Sequence, residues 1–113
     1  MAALLTDDAR FIDARGDWIA GRGDIMEAGR RLFDLAPDLH IEFDRLTPHG
    51  PYVLLRGTTH SSIEMLNQRT LWRALVEGER VKVVQSFTGG NPPALARILM
   101  GERARSEAYG DLA

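Results

Sequence analysis

The 113 residues carry 14 Lys and Arg against 16 Asp and Glu, a formal net charge of -2, with 44% hydrophobic and 27% charged residues. This balance excludes a strongly basic phosphate-binding surface, because nucleic-acid binding needs a concentrated positive patch; the length predicts one domain with one core. The absence of cysteine excludes disulfides, thiolate chemistry and cysteine metal sites and fits a cytoplasmic protein.

No apolar run approaches the roughly 20 residues of a membrane span, and residues 1–5 are too short and too quickly acidic for a signal peptide. Neither nucleic acid nor membrane is therefore an expected partner.

In chain order, residues 2–8 read as the last turns of a helix closed by Asp7 and Asp8. Residues 9–15 read as a strand, with Phe11 and Asp13 on one face and Ile12 and Ala14 on the other. Asp13 then stands at a strand end among apolar side chains, a setting that suits a carboxylate to move protons. Residues 21–24 open a helix with Asp24 as N-cap and Glu27 as its capping-box partner. Ile25, Ala28, Leu32 and Leu35 recur at helical spacing, and Pro37 stops the helix.

From Leu39 to Leu46 the pattern alternates, with Leu39, Ile41 and Phe43 opposite His40, Glu42 and Asp44. A turn over residues 47–50 joins it to a strand over 52–59, and the two should pair as a hairpin. Residues 60–77 admit a helix stripe or a strand. The clear strand from Arg80 to Phe87 needs a partner across the Gly78 turn. Strand is therefore preferred for 68–77, and a loop or short helical turn for 60–67. Pro92 and Pro93 suit a helix start, and that helix should run from Ala94 to Arg105 with Leu95, Ile98 and Leu99 on one face. Gly101 should weaken it by roughly 1 kcal/mol. The tail after Ser106 should be loose.

This α+β order resembles the SnoaL-like branch of the nuclear-transport-factor-2-like superfamily. The likeness rests on three segments that together cover about residues 4–88: residues 5–16 followed by 21–25, residues 37–43 leading to 53–60, and residues 71–87. The resemblance implies a curved, mostly antiparallel sheet wrapped around helices, a cone-shaped, cystatin-like α+β roll whose mouth opens into an apolar pocket. It implies a hydrophobic small-molecule partner, no cofactor, and homodimers formed through the sheet. In isomerase-like members a general-base Asp ends the first strand, and Asp13 matches that position. Their second acid falls near Thr70, which cannot replace a neutral carboxylic acid. The family's first helix has no counterpart ahead of residue 4. Either the native start lies upstream, or the segment from Pro93 to Arg105 closes that side of the cone.

Asp13 has two readings. As a general acid/base it would serve an isomerase, cyclase, dehydratase or hydrolase reaction, and Asp13→Asn would stop turnover with the fold intact. As a structural residue it would bind a backbone amide near Gly16 or pair with Arg15 or Arg22. Phe11, Trp18, Trp72 and Phe87 are expected as core or pocket wall. Thr70 and Gln85 are polar contacts inside the cone or at the sheet rim. His60 could reach the pocket mouth as a second titrating group. His40, His49 and His60 are scattered, without the i, i+4 spacing of a metal site. Arg56 should pair with Glu42 or Asp44 on the neighbouring strand. A non-catalytic module that dimerises through the outer sheet face is the alternative function. An exposed Asp13 with a filled cone would favour that module; a cavity of roughly 300 Å³ or more reaching Asp13 would favour a binder or enzyme.

Overall fold

The computed structural model describes residues 4–106. Seven strands form one sheet: β1 (Leu5–Ile12), β2 (Asp17–Ala20), β3 (His40–His49), β4 (Tyr52–His60), β5 (Gln68–Glu77), β6 (Arg80–Phe87) and β7 (Arg105–Ser106). Two helices accompany it, α1 (Arg22–Leu35) and α2 (Leu95–Met100). The strand order is β3-β4-β5-β6-β1-β2-β7. All neighbours are antiparallel except β1 and β6, which run parallel. The mixed α+β class and the curved, mostly antiparallel sheet are as the sequence implies. Among the described residues, no helix is long and apolar enough to cross a membrane.

The hairpins β3–β4 and β5–β6 form as expected, and residues 64–66 make a single 3-10 turn before β5. Two bulges bend the sheet. On β5–β6, Val76 lies opposite Val81 but Leu75 lies opposite Val83, which leaves Lys82 as an extra residue. On β3–β4, Phe43 lies opposite Gly57 but Arg45 lies opposite Arg56, which leaves Asp44 extra. A bulge kinks its strand and increases the local twist. At the second bulge the strands approach so closely that a Cβ on Gly57 would sit 2.5 Å from the Glu42 carbonyl oxygen. Glycine is the residue that fits there.

Four elements depart from the expectation. Residues 5–8 are strand rather than helix end and extend the strand expected from residue 9, because the free edge of β6 takes them as a partner. The Asp7–Asp8 pair that reads as a helix stop falls within the register shift of β1, between Leu5 and Arg10; there Asp7 pairs with Arg22 and Asp8 approaches Lys82. The strand ends at Ile12, so Asp13 begins a turn, and residues 17–20 form a strand that the short apolar run did not announce.

Helix α1 begins at Arg22 after Gly21, with no side-chain cap. Asp24 instead binds Arg103 at 3.1 Å, and Glu27 pairs with Arg30 at 3.1 Å. The hydrogen bond and charge of Arg30 hold the Glu27 carboxyl below its usual range. Helix α2 stops at Met100 because Gly101 adopts φ 57°, a left-handed conformation that ends a helix. It buries Ala96, Leu99 and Met100, while Ile98 stays exposed. The tail after Ser106 lies outside the described residues.

The core sits at the β1–β2 end of the sheet. Ile19, Ala28, Ala96, Leu99, Met100 and Ala104 form its buried centre, and Phe11, Ile25, Leu32 and Leu95 cover them. Arg31 of α1 adds a hydrogen bond to the Leu99 carbonyl at 2.8 Å. At the other end of the sheet, β3 is exposed along all ten residues. The helices therefore cover one part of the concave face and leave a hollow beside it.

Candidate binding cavity

The turn after β1 organises the site. Asp13 is only 2% exposed. Its Oδ1 accepts hydrogen bonds from the backbone N–H of Arg15 at 2.9 Å and of Asp17 at 3.1 Å. Its Oδ2 accepts one from the N–H of Ala96 at 2.9 Å. The turn's own backbone closes with Asp13 N–H donating to the Asp17 carbonyl and Gly16 N–H donating to the Asp13 carbonyl. Arg15 reaches from the same turn, donating from Nε to the Pro92 carbonyl and from Nη2 to Asn91 Oδ1, both at 2.7 Å. Two side chains of one turn thus fasten residues 91–96 across the concave side of the sheet.

That fastened segment becomes a wall. Pro92, Pro93 and Leu95 line a cavity of about 180 Å³ together with Phe11, Asp13 and Ala14 from the first turn. Leu32 of α1 and Leu39, Ile41 and Leu66 add apolar surface. Trp72 stands on β5 with Phe43 edge-on to it, their ring centroids 5.8 Å apart. The polar groups are few: Thr59, Gln68, Thr70, Ser86, Thr88 and the Asp13 carboxylate. Thr70, 7% exposed, shares a hydrogen bond with Thr88 at 3.1 Å between hydroxyl oxygens. An apolar hollow with a few fixed polar groups is the usual form of a small-molecule site.

Four of the residues singled out from sequence meet here: Phe11, Asp13, Thr70 and Trp72. Four do not line the cavity. Gln85 and Phe87 lie on the opposite face, where Gln85 accepts a hydrogen bond from Arg73 and Phe87 lies under its guanidinium. The Lys82 bulge is the cause. Without the extra residue, the register set by Glu77 opposite Arg80 would place Trp72 opposite Gln85; with it, Trp72 faces Ser86. Ser86 and Thr88 therefore hold the inward positions, and nothing in the composition of the strand marks the shift.

Trp18 lies across from Ile12 in β1 rather than from Phe11, so it turns away from the cavity and stacks on Arg10 at 4.6 Å. His60 also points outward, because its neighbour Thr59 takes the inward place opposite Ile41. Arg56 pairs with Asp44 at 3.8 Å, as expected for a cross-strand pair. For Asp13, the backbone amides near Gly16 are partners as the structural reading requires, whereas Arg22 pairs with Asp7. The bond to Ala96 spans 83 positions and carries no sequence signal.

Fold and cavity together define an α+β roll with an apolar hollow on the concave side of its sheet. The family model of the SnoaL-like domain matches residues 1–101, and the chain belongs to that family. Solved structures agree on the fold. A ketosteroid-isomerase-like protein from Catenulispora acidiphila, in complex with trimethylamine, superposes with a TM-score of 0.70 at 16% identity, covering 88% of this chain and 78% of that one. A proposed polyketide cyclase from Sinorhizobium meliloti gives 0.68 at 15% identity, covering 75% and 76%. An uncharacterised cystatin-fold protein from Novosphingobium aromaticivorans gives 0.68 at 22% identity, covering 76% and 80%. No curated protein matches the sequence.

Proposed function

We propose that this domain binds a small, mainly apolar molecule in the cavity between β1, β5, β6 and the fastened 91–96 segment. One observation carries the reading: a hollow of about 180 Å³ reaches a nearly inaccessible carboxylate while its walls are largely aliphatic and aromatic. The volume is below the roughly 300 Å³ at the lower end for drug-sized ligands and slightly above the roughly 150 Å³ that accepts benzene. The ligand is therefore the size of one ring or a compact branched chain. The Catenulispora protein is described with trimethylamine. A comparable amine here would direct its charge to Asp13 and its methyl groups to Trp72 and Phe11.

A second reading makes the domain catalytic, with Asp13 as general acid/base. Its support is that Asp13 is the one ionisable side chain among the described residues lining the cavity. A carboxylate offers about four acceptor positions, and three backbone N–H groups occupy Asp13, which leaves one for a substrate proton. A dimerising module has less support. Asp13 is buried beside a hollow, and on the outer face across β3–β5 Asp44 pairs with both Arg56 and Arg69.

Fluorescence tests the binding reading. In a Trp18→Phe variant the remaining tryptophan, Trp72, lines the cavity. Its emission should shift and saturate as benzene, phenol or trimethylamine is added. Unchanged emission across such a panel rejects the reading.

A further inference from the structure

The histidines that look scattered along the chain do not stay apart. His40 and His60 are direct cross-strand partners on β3 and β4. Glu42 lies two residues along β3, on the same face, because side chains alternate along a strand. The imidazoles stack with centroids 5.0 Å apart and 19° between planes. His60 Nε2 stands 3.2 Å from Glu42 Oε1, yet it makes no hydrogen bond and is shut off from solvent. A donor atom from each of the three side chains lies within 4.8 Å of the others.

From this cluster we propose a divalent transition-metal site, best matched to Zn²⁺, held by His40, His60 and Glu42 on the outer face of the β3–β4 hairpin. Imidazole nitrogens and a carboxylate are the borderline and hard donors that Zn²⁺ accepts at about 2.0–2.2 Å. Donors sharing one ion stand roughly 3–4 Å apart, so modest rotations of the exposed His40 and Glu42 side chains bring the three donors into range, and a water takes the fourth tetrahedral position. The tautomer of His40 is suited to the task. Its Nδ1 lies 3.2 Å from the Asp38 carbonyl oxygen, which can only accept a hydrogen bond. In the neutral ring Nδ1 therefore carries the proton, which leaves Nε2 as the nitrogen with a lone pair for a metal. A backbone carbonyl fixing the far nitrogen of a ligand histidine is a recurrent support of metal sites. The ion also satisfies His60 Nε2, which makes no hydrogen bond among the described residues.

The position indicates what the ion does. Ile41 and Thr59, the neighbours of the two histidines, line the cavity from the other side of the sheet. The ion lies behind the cavity wall, away from Asp13, and joins the exposed edge strand β3 to β4. It stabilises the wall and takes no part in chemistry in the hollow. The site is independent of whichever molecule the cavity binds.

The test is calorimetric titration of untagged, chelator-treated protein with ZnCl₂ near neutral pH. The expected result is one saturable site, weakened roughly tenfold or more by His40→Ala, His60→Ala or Glu42→Gln and unchanged by His49→Ala at the far end of β3. The unmutated protein gives an independent reading: Zn²⁺ moves the imidazole NMR signals of His40 and His60 and leaves those of His49 in place. No saturable binding, binding retained in the His40→Ala/His60→Ala double variant, or movement of the His49 signals alone overturns the site.

Discussion

Asp13→Ala lowers the unfolding free energy by about 3–4 kcal/mol, because it leaves three backbone N–H groups without their acceptor. Those of Arg15 and Asp17 can recover water in part. That of Ala96 is buried and cannot. Asp13→Asn is milder but not silent. One amide oxygen can keep the bonds from Arg15 and Asp17, and the –NH₂ then faces the N–H of Ala96, donor against donor. The expected loss is about 1–3 kcal/mol, concentrated where α2 meets the first turn. Urea denaturation measures both losses, and faster hydrogen exchange at Ala96 locates the second. An Asp13→Asn protein as stable as the parent contradicts the latch geometry. The geometry also changes the sequence-based expectation that this substitution leaves the fold intact. Loss of turnover in Asp13→Asn indicates proton transfer only if the protein is assayed well below its own unfolding transition.

Ile19→Ala is the second large effect, at about 3 kcal/mol. Among the described residues Ile19 is the largest fully buried side chain, 2% exposed, and it sits in the cluster that joins β2 to both helices. Truncation removes buried methyl groups and leaves a void between elements that cannot all close onto it. A drop in thermal midpoint without loss of cooperativity is the expected readout. A change under about 1 kcal/mol, the cost of trimming a single methylene, places Ile19 outside the core.

Strands with strong alternation were legible in the sequence. The β3–β4 and β5–β6 hairpins, the Gly78 turn and the short turn before β5 follow from β-branched residues, spacing and turn chemistry. What was hidden depends on distant partners. Residues 5–8 carry two adjacent acids that interrupt any period, and they extend the strand legible from residue 9 only because β6 offers an edge. Asp17–Ala20 is four residues long, too short for periodicity, yet it contributes the most buried large side chain. Gly101 read as a weak point within a helix and is instead its end.

The site was legible in the same measure. Of the residues that alternation places on shared strand faces, Phe11, Asp13, Thr70 and Trp72 line the hollow. Gln85 and Phe87 were misplaced by a single extra residue, Lys82, which reverses inside and outside for everything beyond it on β6. The grouping of His40, Glu42 and His60 leaves no i, i+4 signature in the sequence, because these donors meet across two strands. The contribution of residues 91–96 was anticipated only as a helix closing the cone; its fastening by Asp13 and Arg15 is a tertiary event.

The central claim is that the concave hollow is a binding site and that residues 91–96, fastened by Asp13 and Arg15, form its wall. Amide NMR during titration with benzene, phenol or trimethylamine tests it most directly. The account predicts saturable shifts at Phe11, Asp13, Thr70, Trp72 and Leu95, abolished when Ser86→Phe fills the hollow. Saturable shifts confined to the outer face, at Gln85 and Phe87, or no saturable shift with any of these ligands, contradict it.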